Sequence, residues 1–358
     1  MQFITNNPYR VLGVLAGATV REIVRQANTI KKFLTAGQDL PCDYSFLAFG
    51  KLNRSADSVD AAVAKLNLDS DKMTAALFWF YKGNDITDEQ AFDALKAGDI
   101  DTALQIWEKL LSDSVTEKNY SAFHNYFVGS FLNNPPTKKI ANAIAAQLKF
   151  LESNFCSSFV AQVTDRTFKT TAKELQLLFL NEILKEVEQK TIPITLLQLV
   201  SILSNNNSVK QDFIKNASRK FTEKIIAEIE IAHKNAEDKA NAAKRGEVLF
   251  EHTKEDLEQL KTIFGAQDFT YFNTADKLAN EISQCGIDYF EHFKNTGINP
   301  CEHSMKLLDL ANNLAVGNGT KQNCRKNRMV IQQWIKKKEK NIFQRYYKKF
   351  LRKTYSPK

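Results

Sequence analysis

Cys285, His292, Cys301 and His303 place four thiol and imidazole side chains within nineteen residues of a 358-residue chain. Zinc takes such ligands, usually as paired short spacings such as C-x2-C with H-x3–5-H. Here six, eight and one residues intervene, and His292 lies in DYFEHFKN between the helix-core positions Phe290 and Phe293. That spacing predicts isolated side chains rather than a metal centre. Cys156, Cys301 and His124 are a formal Cys/His set for nucleophilic catalysis, but no local feature activates any of them. Glu228/Glu230 and Glu255/Asp256 fall on helical segments that also carry Lys, the pattern of solvated faces rather than of acid–base pairs. The Gly-Asn-Gly at 317–319 lacks the Lys-Ser/Thr pair of a phosphate loop and reads as a turn. The expectation is a non-enzymatic chain with no catalytic residues, no metal and no cofactor.

The strongest signal is charge. From Arg325 to Lys358 thirteen Lys or Arg stand against one acidic residue, Glu339, a net +12. The whole chain carries +8, so the first 324 residues sum to −4. The segment RKNRMVIQQWIKKKEKNIFQRYYKKFLRK is helix-compatible throughout. Ile331, Trp334 or Ile335, Ile342, Tyr346 and Phe350 fall near one stripe, with most Lys and Arg around it. Candidate contacts to an anionic partner are Arg325, Lys326, Arg328, Trp334, Lys336, Lys337, Lys338, Arg345, Tyr346, Lys348, Lys349 and Arg352. Three occupants fit such a helix: an anionic lipid surface with aromatics at the interface, nucleic acid with phosphates neutralised and bases stacked, or the protein's own mildly acidic body or an acidic protein partner.

The elements that position these residues are helical. Apolar residues make up 43% of the chain and charged residues 25%, and only 13 Gly and 7 Pro punctuate it. Apolar positions recur at three and four residues throughout, so the fold class is all-α. No stretch is apolar over a bilayer's thickness. The start, MQFITNNPYR, lacks a secretory pattern, and five widely spaced cysteines suit reduced thiols in a cytoplasm.

Along the chain, Pro8 opens a short helix ending at Gly13. Thr19 and Glu22 then make a capping box before Ile23, Ala27, Ile30 and Leu34. A loop, QDLPCDYSFLAFGKLNR, leads to a helix with Val59, Ala62, Val63 and Leu66, and another opens near Asp69 and carries Met73, Ala76, Leu77 and Phe80. The order N-P-Y-x-V-L-G-V, A-T-x-x-E-I and L-x-x-D-x-D-K over residues 5–82 resembles the J-domain family. The resemblance implies a hairpin of two antiparallel helices flanked by short ones. J-domains stimulate their chaperone's ATPase through a His-Pro-Asp tripeptide after the second helix. This chain has Pro41-Cys42-Asp43 in that loop and no histidine before His124. The basic patch of the family's second helix is also thin here, with Arg21, Arg25, Lys31 and Lys32 interrupted by Glu22. The resemblance therefore implies the fold without the ATPase-stimulating residues.

TDEQAFDALKAGDIDTALQIWEKLL (87–111) resembles one tetratricopeptide unit, with a turn at Gly98-Asp99 and Ala103, Trp107 and Leu111 on the second helix. Such a unit needs stacked neighbours to bury its faces. No clean repeat near 34 residues follows; the reading is an irregular stack of helical hairpins. Residues 270–316 give a similar pair, with Ala275, Ala279, Leu308 and Ala311 at packing positions. The aromatic runs ALFWFY (76–81) and FVGSF (127–131) read as packing between helices. A polar run, HKNAEDKANAAKR, looks like the solvated end of one long helix. The expected divisions are 1–84, J-domain-like; 85–243, tetratricopeptide-like; 244–324, a second helical region; and 325–358, a basic helix. The function expected is a protein-interaction adaptor, with nucleic-acid or anionic-membrane binding by the basic helix as the alternative.

Overall fold

Side chains that satisfy free backbone N–H groups set many of the helix starts. Thr19 with Glu22, Ser55 with Ser58, Thr171 with Glu174 and Thr195 with Gln198 each form a reciprocal capping box. The structure, a computed structural model, describes residues 2–132, 135–165, 167–203 and 208–354, with side chains over 3–344. Seventeen α-helices form among them: α1 (Gln2–Thr5), α2 (Pro8–Leu12), α3 (Val20–Thr35), α4 (Ala56–Lys65), α5 (Asp69–Ala76), α6 (Thr87–Lys96), α7 (Ile100–Glu108), α8 (Tyr120–Gly129) and α9 (Thr137–Glu152) come first. α10 (Cys156–Val163), α11 (Ala172–Glu188), α12 (Leu196–Ile202), α13 (Ser208–Lys234), α14 (Ala242–Phe264), α15 (Phe269–Phe293), α16 (Cys301–Leu314) and α17 (Asn318–Thr354) complete the order. No strand forms among the described residues; Ala16 and Tyr81 make an isolated bridge. The fold is all-α, and no described helix is long and apolar enough to cross a membrane.

The chain divides into two compact units, Met1–Phe213 and Ile214–Lys358, so the division falls inside α13.

The first unit is built on aromatic packing around the connector after α5. The helix stops at Ala76 and does not continue through Phe80, because the backbone finds partners elsewhere. Ala16 donates to the Phe80 carbonyl at 2.8 Å, and Tyr81 N–H donates to Asn125 Oδ1 at 2.9 Å. Leu77, Phe78, Trp79, Phe80 and Tyr81 are all buried. Phe78 stacks on Phe179, and Phe80 on Trp107, each with centroids 5.5 Å apart. The hairpin α6–α7 turns at Gly98, whose φ of +82° favours glycine.

The second unit packs α14, α15, α16 and the start of α17. Small residues let these helices approach. A Cβ on Gly246 would lie 3.0 Å from the Cys285 Cβ, and one on Gly286 would lie 3.2 Å from the Ser304 carbonyl. Ala275, Ala279, Leu308 and Ala311 are fully buried. The polar run expected to end a single long helix is instead a break between α13 and α14. Asn241 Nδ2 bonds Asp238 at 2.9 Å, and Arg245 Nη1 donates to the carbonyls of Asn235 and Asp238 at 2.7 and 3.0 Å. Asn and Asp side chains compete with helical hydrogen bonds, and the arginine holds the carbonyls released.

Candidate functional site: the basic helix and its base

The Gly-Asn-Gly turn is where α17 begins, and a carboxylate from another helix occupies its N-terminus. Asp276 on α15 accepts from the backbone N–H of Val316 and Gly317 at 2.8 and 3.0 Å through Oδ1, and from Thr320 Oγ1 at 2.8 Å through Oδ2. Helix N-termini attract negative charge, and here the protein's own side chain supplies it. A Cβ on Gly317 would sit 2.3 Å from Asp276 Oδ2, so glycine is what admits that approach.

From this anchor α17 divides. Its first part is docked: Cys324 and Ile331 are buried, and Ile331 packs with Phe290 and Leu308. Trp334 and Ile335 extend that cluster half-buried, Trp334 meeting Phe290 edge-on at 5.4 Å. Asn327 donates to Ser283 Oγ at 3.1 Å, and Arg328 pairs with Asp309 at 2.7 Å. From Lys336 to Gln344 every residue is exposed. Lys336, Lys337, Lys338 and Lys340 have no described carboxylate within ion-pair distance; Lys338 Nζ instead lies 4.6 Å over the Trp334 ring. Ile342 is 46% exposed, although it continues the face that docks Ile331 and Ile335.

Of the residues read from sequence as the anion-binding set, the structure thus keeps Lys336, Lys337 and Lys338 exposed together, with Arg325 and Lys326 also exposed. It gives Arg328 and Trp334 to the protein's own packing. The side chains of Arg345, Tyr346, Lys348, Lys349 and Arg352 lie outside the described residues, on a backbone that is helical through Thr354.

Most of the other residues read for chemistry sit in packing or ion pairs, whereas His292, Glu230 and Glu255 are exposed. Cys285 is fully buried, and burial pushes its thiol up to about 11. Burial likewise raises Cys156 to about 12 and raises Cys301, with Lys338 partly offsetting the latter. His303 packs against the Tyr289 ring and His292 against Phe293. Among the described residues no three His, Cys, Asp or Glu side chains are placed to hold a metal ion. His124 is fully buried with both ring nitrogens engaged, Nδ1 with Gln147 Oε1 at 3.1 Å and Nε2 with the Trp79 carbonyl at 2.7 Å; burial lowers its pKa. Glu228 pairs with His252 at 3.0 Å and Asp256 with Lys224 at 2.6 Å.

One buried carboxylate is not legible in the sequence. Asp88, at the start of α6, is fully buried and accepts four hydrogen bonds. Its donors are Gly83 N at 3.0 Å, Asn84 N at 2.8 Å, Trp107 Nε1 at 3.0 Å and Asn125 Nδ2 at 3.0 Å. It ties the aromatic connector to α6, α7 and α8, a structural use that consumes its accepting capacity.

No protein-family model, curated protein or solved structure matches this chain.

Proposed function

We propose that the chain is a non-enzymatic adaptor, whose helical units bind a protein partner and whose exposed basic helix segment supplies an auxiliary anionic contact. The observation that carries this reading is the division of α17, docked through Ile335 and exposed with four lysines from Lys336 onward. A helix that served only to cap the fold would present charge balanced by its neighbours, whereas these lysines have no described acidic partner. The engagement of all four accepting sites of Asp88 and of both ring nitrogens of His124 in internal hydrogen bonds further supports a reading without catalysis.

The order of short helices before α6 supports treating the first eighty residues as a J-domain-like docking module. The loop that would carry a stimulating tripeptide is tied inward. Arg54 donates to Asp39 Oδ1 at 3.0 Å and to the Leu40 carbonyl at 3.3 Å, and Gln26 donates to Cys42 Sγ at 3.3 Å. A chaperone link would then be binding without ATPase stimulation.

A second reading has a specific observation behind it. At 100° per residue, Lys336, Lys340, Lys337 and Lys338 fall at roughly 0°, 40°, 100° and 200° around the helix, and Ile335 and Ile342 fall together on the side they leave free. A lysine arc beside an exposed apolar position, Ile342 at 46%, suits an anionic surface, either a nucleic-acid backbone or a lipid layer with the apolar side against it. Nucleic acid or an anionic membrane surface is therefore the alternative to a protein partner. The test is co-purification of the full chain with and without nuclease. A protein partner that resists nuclease supports the adaptor; bound nucleic acid with no protein partner overturns it in favour of the alternative.

A further inference from the structure

Beside α2 and α4 in the first unit lies a cleft of about 470 Å³ lined by Arg10, Lys51, Arg54 and Lys65, with no Asp or Glu in its lining. Two of these cations form its buried floor. Arg10 is 2% exposed and spends its guanidinium on carbonyls, donating to Thr5 at 2.8 Å, Ser45 at 3.1 Å and Gly50 at 2.5 Å. Arg54, its side chain 3% exposed, donates to the Val11 carbonyl at 2.7 Å and to Ser45 Oγ at 2.5 Å, besides its bond to Asp39. The two guanidiniums thus converge on Ser45. Burial and the Arg54 charge lower the Arg10 pKa to about 10, the mark of positive charge held where it is not fully compensated.

The rim adds to this excess. Lys51 and Lys65 are exposed, and neither has a described carboxylate within ion-pair distance. The remaining wall is mixed, with Phe49 and Leu52 half-buried along it and Asn53 and Ser58 adding polar groups. A volume of several hundred Å³ matches a small-molecule site. Lysine donors with no described ion-pair partner, above an arginine pair of which Arg54 alone meets a carboxylate, at Asp39, favour phosphate over cations or neutral ligands.

We propose that this cleft binds a phosphorylated small molecule, with Lys51 and Lys65 gripping the phosphate above the buried arginine pair and Phe49 and Leu52 against the apolar body. The inference goes beyond the adaptor reading and involves no residue of α17. Phosphate of this kind comes from a soluble ester or from a lipid headgroup, and the arms of the test separate them.

The full-length chain is titrated calorimetrically with AMP and with inorganic pyrophosphate, and is assayed for sedimentation with vesicles containing phosphatidic acid. The same measurements are made on Lys51→Ala/Lys65→Ala and on Lys138→Ala as a control. Both lysines of the double variant are exposed, so the fold is expected to persist. The expected result is saturable AMP binding, about tenfold or more weaker in the double variant and unchanged in the control, since removing one charge-assisted hydrogen bond to phosphate weakens binding roughly tenfold. Vesicle binding that depends on Lys51 and Lys65, without AMP binding, keeps the site and assigns the phosphate to a lipid. The proposal is overturned if no probe binds saturably at millimolar concentration, or if the double variant binds as tightly as the native chain.

Discussion

Replacing Asp88 with Ala removes the acceptor of four donors at the centre of the first unit. Two of those donors, Trp107 Nε1 and Asn125 Nδ2, belong to fully buried side chains and lose a 3.0 Å partner that water cannot replace. A buried donor left unpaired costs about 1–3 kcal/mol. Asn125 keeps its bond to the Tyr81 carbonyl at 2.8 Å, which puts it at the lower end of that range. The N–H groups of Gly83 and Asn84 lie in half-buried residues and recover water, so they add little. The sum is about 4 kcal/mol, or a fall in Tm near 12 °C for a unit of this size. Denaturant unfolding followed by tryptophan fluorescence reads it, since Trp79 and Trp107 are both buried in that unit. The control is Asp85→Ala, whose side chain is 95% exposed and which is expected to change stability by about 0.5 kcal/mol or less. If Asp88→Ala came within about 1 kcal/mol of that control, the carboxylate would not be holding the helices together. It would then be free for another role, and the structural argument against catalysis there would fail.

Other perturbations reach different parts of the molecule. His124 is buried with a lowered pKa, so below about 6.5 the unfolded chain takes up a proton that the folded chain refuses. Stability therefore falls with pH in that window, with a slope approaching 1.4 kcal/mol per unit, and His124→Gln should flatten that part of the profile. Gly13 has φ +66°, and a Cβ there would lie 2.2 Å from the Cys42 Cβ. Gly13→Ala should cost about 3 kcal/mol from backbone strain and overpacking, and adding Cys42→Gly should recover part of it in a double-mutant cycle. Ile331→Ala should cost about 3 kcal/mol because Ile331 is fully buried, whereas Ile342→Ala should cost less than about 1 kcal/mol. Equal effects at the two positions in urea unfolding would contradict the division of α17.

Local chemistry makes much of the fold readable from the sequence. The Thr19–Glu22 box and the apolar stripe behind it place α3 within a residue of its ends, and the Gly98-Asp99 turn separates α6 from α7. These signals work because cap and helix lie within four residues of each other. What stays illegible depends on partners far along the chain. Asp88 meets Asn125 thirty-seven residues away, and Asp276 caps a helix that starts more than forty residues later. Arg10 and Arg54 converge on Ser45 although one opens the chain and the other follows a loop. The break after Lys234 is hidden for a different reason. Its Ala- and Lys-rich composition favours helix, and only the Asn/Asp side-chain bonds with Arg245 decide against it. In the basic segment the charge is plain from composition, but which residues dock and which stay exposed depends on Phe290 and Leu308.

The most direct test of the adaptor function is partner recovery by the full chain beside its Lys336→Gln/Lys337→Gln/Lys338→Gln/Lys340→Gln variant. This variant leaves the docked contacts of Ile331, Trp334 and Ile335 in place, as removal of everything after residue 324 would not. Both are purified from the native host with and without nuclease. The expected result is one discrete protein partner, resistant to nuclease and retained by the variant with a weaker, less salt-sensitive complex. Recovery of nucleic acid alone, lost when the four lysines are neutralised, would contradict the adaptor reading and make the exposed half of α17 the functional site.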